Sequence, residues 1–266
     1  MDSVLWVFVD CLVLGALVGF LAGLLGIGGG LLVVPALIYL LPSVGINAEQ
    51  LPHIAIATSL AAIILTSSSS ARAHYNRGNI PWALFKPMMP GIIVGALAAA
   101  FISEQIPAHR LQQGFALFVL LMSAQMAFPR KAEAGRSLPG TWVLFWVSVS
   151  IALLAGMMGI GGGVLLVPFL TWCGLQMRHA VGFSAMTGLL ISLVGSLGYV
   201  LAGADVPGLP QWTLGFIYLP ALLGIVLTSM LMAPVGVRAA SHWPTLVLKR
   251  IFAVLLFSLG LKLILT

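Results

Sequence analysis

The chain is a series of long apolar runs separated by short charged stretches. Residues 11–48 contain no Asp, Glu, Lys or Arg, and neither do 50–71, 87–103, 111–129, 137–177, 179–204 or 206–237, while the stretch from Ile251 carries only Lys262. A helix rises 1.5 Å per residue, so roughly 20 residues cross a hydrocarbon core about 30 Å thick. Most runs therefore predict one transmembrane helix each. The runs 11–48 and 137–177 are too long for one crossing, and each holds a glycine cluster where it can break. The expected class is all-α and polytopic.

Composition strengthens this picture. Apolar residues make up 61% of the 266 and charged residues 7%, and the mean hydropathy is +1.13. Soluble domains carry about 25% charged residues, so this chain cannot build a polar shell. A soluble enzyme, a disordered chain and a nucleic-acid binder are excluded as readings. The net charge of +6 is spread thinly between apolar runs rather than clustered, which is not a nucleic-acid footprint. Cys11 and Cys173 both sit in apolar runs and make no disulfide framework. Asp2 stands where a secretory signal would be basic, so residues 1–25 are read as part of the mature protein.

The chain also repeats itself. Residues 23–37 read GLLGIGGGLLVVPAL and residues 156–170 read GMMGIGGGVLLVPFL. Gly26, Ile27, Gly28, Gly29 and Gly30 recur as Gly159, Ile160, Gly161, Gly162 and Gly163, and Val34, Pro35 and Leu37 as Val167, Pro168 and Leu170. The offset of 133 is half the chain. Weaker echoes follow in order, with His53–Ser59 resembling Arg178–Ser184 and Met89-Pro90 resembling Leu219-Pro220. Two repeats, 1–133 and 134–266, are expected, an organisation common in secondary transporters.

Charge then sets topology. If each long run crosses once, the basic residues split 7 to 5 between the two sides. If each run turns back at its glycine cluster, the split is 10 to 2, with only Arg110 and Lys262 on the minority side. The positive-inside bias favours the second arrangement. Each half then has a glycine-broken hairpin and three transmembrane helices. The halves are inverted, and both termini are non-cytoplasmic. The parity is the same whether the hairpin arms cross fully or meet inside the membrane.

Glycine triplets expose backbone N–H groups, and an apolar run opens directly after each. If that run is helical, its N-terminus carries partial positive charge and free donors, which bind anions. The triplets Gly28–Gly30 and Gly161–Gly163 are therefore candidate substrate-binding residues, while Gly19, Gly23 and Gly26 read as packing positions. Thr58, Ser59 and Ser184 are added as hydroxyl donors at matched positions, with interhelical bonding as the equal alternative. Pro35 and Pro168 are read as helix-break positions. Asp10 is the one acid well inside an apolar run and a candidate for proton coupling. Thr66 and Ser67–Ser70 read as packing polar residues, and His53 and His179 as interfacial. No cofactor or metal is expected. The implied partners are a small anion and the lipid bilayer, with no nucleic acid, and a homo-oligomer is left open.

The doubled GxxGIGGGxxxVPxL segments, Gly23–Leu37 and Gly156–Leu170, resemble the sulfite exporter TauE/SafE family, as does Ala55–Ser59. The second half has Phe183-Ser184 where the first has Thr58-Ser59. The resemblance implies a bacterial-type inner-membrane permease for sulfite or an organosulfonate such as sulfoacetate. The expected function is secondary transport of a small anion by alternating access, and not enzymatic. An intramembrane serine hydrolase using Ser59 or Ser184 with a histidine is the alternative, though no G-x-S-x-G occurs. A non-catalytic membrane assembly subunit is a third. No Walker A pattern is present.

Overall fold

The structure, a computed structural model, describes residues 2–25, 30–127, 138–240 and 245–265. The calls on Gly28, Gly29 and the basic loop at 129–137 lie outside them. Ten helices are described: α1 (Asp2–Leu25), α2 (Gly30–Leu40), α3 (Leu51–Asn76), α4 (Phe85–Glu104), α5 (Ala108–Ala127), α6 (Thr141–Met157), α7 (Gly163–Trp172), α8 (Met177–Ala202), α9 (Leu219–Ala240) and α10 (Thr245–Leu265). Four helical segments are long and apolar enough to cross a membrane: Leu51–Asn76, Trp82–Glu104, Met177–Ala202 and Leu219–Gly236. Leu17, Leu117, Leu121, Leu197, Leu227 and Val254 are all exposed. A water-facing surface of that kind would aggregate, whereas lipid solvates it.

Glycines set the helix pairings, because two backbones approach closely only where a side chain is missing. Gly224 faces Phe8 and Cys11, Gly15 faces Ile225 and Thr228, and Gly19 faces Ser229, so α1 and α9 run side by side in the same direction. The Thr228 hydroxyl bridges them by donating to the Leu12 carbonyl, 2.7 Å away. Gly91 faces Phe145 and Ser148, Gly95 faces Val149 and Ala152, and Gly156 faces Ala99, so α4 and α6 are likewise parallel. α3 and α8 are antiparallel, with Leu60 against Gly195 and Ser67 against Gly188. α5 and α10 are antiparallel too, since Gln112 reaches the Leu263 carbonyl and Ser123 the Ala253 carbonyl.

The charged residues separate to two ends of this bundle. Glu49, Glu104 and Asp205 lie where α3 starts and α4 and α8 finish. His53 and Tyr199 both bond Ser103 there, and Gln50 bonds the Pro207 carbonyl. Arg72, Arg77, Lys86 and Arg178 lie at the other end, where His179 meets the Asn79 carbonyl. We call these the acidic and the basic end.

The two long uncharged runs each hold a long helix followed by a short one, α1 and α2 in the first and α6 and α7 in the second. α2 has 11 residues and α7 has 10, about 15–17 Å of helix, or half a bilayer core. α2 begins beside Ile63 in the interior of α3 and finishes at the acidic end. There the Lys262 ammonium lies 4.1 Å over the Tyr39 ring. α7 begins at the same depth, and its Leu166 and Leu170 pack among Leu84, Met88, Ala180 and Phe183 toward the basic end.

Two expectations are corrected here. Pro35 and Pro168 do not make the breaks, because both lie inside helices, five residues after α2 and α7 begin. The missing N–H of each removes one bond within a continuing short helix, and the described break, between α6 and α7, falls at Gly159–Gly162. The uncharged run 206–237 is not a single helix. Thr213–Leu214 pairs with Ile217–Tyr218 as a two-stranded antiparallel hairpin before α9. Gly215, with φ +54°, lets the turn lie against Val200, and Phe216 is buried.

Candidate anion-binding site

The second glycine cluster is resolved residue by residue. α6 ends in a left-handed glycine cap: Gly159 has φ +65°. Its N–H donates to the Gly156 carbonyl at 3.3 Å, and the Ile160 N–H donates to the Ala155 carbonyl at 2.9 Å. This Schellman arrangement satisfies carbonyls that the helix end would otherwise orphan. The chain then turns through Gly162, φ +72°, whose N–H donates to the Ile160 carbonyl at 2.8 Å. α7 starts at Gly163, with no side chain capping it. The N–H groups of Gly161, Gly163 and Val164 have no backbone acceptor among the described residues. They form the donor end of a helix dipole.

Gly30, the described glycine of the first triplet, comes to the same place. A Cβ on Gly30 would lie 2.6 Å from the Gly159 carbonyl oxygen and 3.2 Å from the Ile160 Cα. The start of α2 therefore touches the break between α6 and α7. Around them, Gly161 lies against Ile63 and Gly188, and a Cβ on Gly188 would lie 2.5 Å from the Gly161 carbonyl oxygen. The Ser67 hydroxyl is 3.5–3.8 Å from the two Cβ positions at Gly188 and Gly161. It is half-buried and makes no hydrogen bond with the described residues. Arg72, Arg77, Lys86, Arg110, Arg178, Arg238, Arg250 and Lys262 are all exposed, and charge-neutral donors line this region.

The hydroxyls singled out from sequence divide. Ser59 is buried and donates to the Gly159 carbonyl at 2.8 Å, which fixes the end of α6 to α3. Thr58 is buried and accepts a hydrogen bond from the Tyr218 backbone N–H at 3.0 Å. Ser184 is buried, and its hydroxyl has no partner among the described residues. Asp10 is exposed on α1, 16 residues before Gly26, which is about 24 Å of helix.

Sequence reasoning missed three features. Ser67 was read as packing, yet it stands beside Gly161. Ser196 is buried, and its hydroxyl has no hydrogen-bond partner among the described residues. His53 is only 5% exposed rather than interfacial, with Nε2 2.9 Å from the Ser103 carbonyl oxygen. His179 contacts the Asn79 carbonyl, so neither histidine is bonded to Ser59 or Ser184. No group of three His, Cys, Asp or Glu residues suited to a metal occurs among the described residues.

Apolar spanning helices, a lipid-suited surface and half-length helices that meet inside the bundle define a multi-pass membrane protein of the transporter class. The sequence model of the family described as Sulfite exporter TauE/SafE matches residues 11–263, and the chain belongs to that family. It is 36% identical over 258 residues to a probable membrane transporter protein of Haemophilus influenzae, covering 96% of this chain and 97% of that one. It is 29% identical over 219 residues to the probable membrane transporter protein YunE of Bacillus subtilis, covering 74% and 79%. A probable membrane transporter protein of Methanocaldococcus jannaschii is 26% identical over 235 residues, covering 85% and 84%. No solved structure matches the chain.

Proposed function

We propose that this protein is a secondary transporter of a small anion, sulfite or an organosulfonate, working by alternating access in the cell inner membrane. The observation that carries the reading is the contact between Gly30 and the Gly159–Gly161 break. It brings two half-length helices to one place inside the bundle. A helix N-terminus supplies roughly 0.3–2 kcal/mol toward an anion, and this region offers unpaired N–H groups without a buried cation. Binding by such donors is weak enough for release, which a carrier requires.

In this reading residues 1–133 and 134–266 are inverted repeats. The helix directions support it: α3 opposes α8, α5 opposes α10, and the pairs α1–α9 and α4–α6 exchange when the halves are exchanged. The anion sits between Gly28–Gly30 and Gly161–Gly163, on the N–H groups of Gly161, Gly163 and Val164 and the equivalents at Gly28–Leu31. Ser67 and Ser184 supply hydroxyls. Thr58 and Ser59 act one step back, holding the hairpin and the end of α6. The basic end faces the cytoplasm, and both termini face away from it.

The test is counterflow of labelled sulfite and of labelled sulfoacetate in proteoliposomes of the purified protein. Exchange above protein-free vesicles is expected for at least one. A chain that moves neither anion is not a transporter of this class.

A further inference from the structure

A line of buried polar groups connects the acidic end to the glycine break, and the anion site does not use it. A cavity of about 560 Å³ opens at that end, lined by Glu49, His53, Glu104, Gln105, His109 and Gln112 among others. His53 forms its inner wall, in the first turn of α3. The Ser103 carbonyl oxygen can only accept, so the His53 Nε2 at 2.9 Å carries the hydrogen. Nδ1 is then the basic nitrogen. The ring stacks on buried Phe216, with centroids 5.4 Å apart. The Ser103 hydroxyl oxygen in turn accepts from Tyr199 Oη at 2.9 Å. The Tyr199 hydroxyl also lies 3.4 Å from the Gly156 carbonyl. That carbonyl is the one that caps Gly159. Ser103 and Tyr199 are fully buried.

We propose that His53 is the proton-binding residue that couples anion movement to protons. This rests on the transport reading above. A proton entering the cavity adds to Nδ1 and makes an imidazolium, with no other bond made or broken. The chemistry asks for such a group. An anion in a bundle interior without buried Arg or Lys leaves an uncompensated charge in low dielectric, which is costly. One proton on His53 makes the loaded unit neutral. Glu49, Glu104 and His109 are the charged and titratable groups facing His53 across the cavity, and Tyr199 is the titratable group behind Ser103. The chain Ser103–Tyr199–Gly156 carries the change to the end of α6, where Ser59 of the same helix as His53 holds the Gly159 carbonyl.

The experiment uses purified full-length protein in proteoliposomes with labelled methanesulfonate, whose single charge does not titrate in the physiological pH range. Counterflow without a gradient measures exchange. Accumulation under an imposed pH gradient, acid on the acidic-end side, measures coupling. The parent should exchange the anion and accumulate it several-fold under the gradient. His53→Gln keeps a donor for the Ser103 carbonyl and removes the titrating nitrogen. It should exchange more slowly than the parent yet still above protein-free vesicles, and lose gradient-driven accumulation. His109→Gln should keep both. Accumulation retained in His53→Gln overturns the proposal and leaves the transport reading standing. Parent protein that exchanges methanesulfonate, sulfite and sulfoacetate no faster than protein-free vesicles overturns both. If His53→Gln does not fold, Tyr199→Phe carries the test: lost accumulation with kept exchange supports the coupling line, and kept accumulation overturns it.

Discussion

Gly30 and Gly159 meet inside the bundle. A Cβ on Gly30 would stand 2.6 Å from the Gly159 carbonyl oxygen, closer than side-chain carbon and oxygen can lie. One residue opens α2 in the first half, and the other closes α6 in the second. The half-length helices of the two glycine segments therefore start from one locus and run to opposite ends.

The crossing of α8 with the break requires glycine at 188. A methyl there would press on the Gly161 carbonyl oxygen at 2.5 Å, and backbone cannot turn aside. Gly188→Ala should destabilise the protein by roughly 1–3 kcal/mol. Gly114 in α5 has nothing within 4 Å of its Cβ position, so Gly114→Ala should stabilise by roughly 0.5–1 kcal/mol. Thermal unfolding in detergent, read side by side, should give shifts of opposite sign.

Ser59 and Thr58 are expected to act through backbone they hold. Ser59→Ala leaves the Gly159 carbonyl without its 2.8 Å donor, and Thr58→Val leaves the buried Tyr218 N–H without its acceptor. Each should cost about 1–3 kcal/mol. Ser59→Ala should slow sulfite counterflow without weakening sulfite affinity more than about twofold. A large affinity loss would place the hydroxyl on the anion instead.

Sidedness follows from α4 crossing the membrane. Asn76 and Gln105 are both exposed, near the basic and the acidic end. The natural Cys11 and Cys173 are buried. In whole cells, an impermeant maleimide should label Gln105→Cys and leave Asn76→Cys unlabelled until the membrane is opened. Labelling of both from outside would contradict the orientation.

The long helices and the break between α6 and α7 were legible in the sequence because uncharged runs and glycine triplets are local signals. Gly28–Gly30 and Gly161–Gly163 mark themselves by repetition. What was not legible depends on partners distant in sequence. Gly188 looks like any glycine of a spanning helix until Gly161 is placed against it. Ser67 is one of four consecutive serines, and only the crossing of α3 with α8 picks it out. Thr58 and Ser59 carry the right chemistry for an anion, yet their hydroxyls meet the Tyr218 N–H and the Gly159 carbonyl. His53 precedes an apolar run, which reads as interfacial, but the hairpin at 213–218 brings Phe216 over it. A hairpin of two-residue strands inside an apolar run has no period long enough to show.

The most direct measurement is equilibrium binding of labelled sulfite to the purified protein, parent against Gly162→Ala. Gly162 has φ +72°, which costs a residue with a Cβ roughly 1–2 kcal/mol. Its added methyl would press on the movable Ile191 Cδ1, at 2.6 Å, and touch the Ala155 Cβ at an ordinary 3.8 Å. The chain should therefore fold while the peptides carrying the Gly161 and Gly163 N–H groups are reoriented. One saturable site in the parent and a Kd weakened about tenfold in Gly162→Ala is the predicted result. A folded Gly162→Ala variant that binds sulfite with the parent's Kd would contradict the claim that the glycine breaks hold the anion.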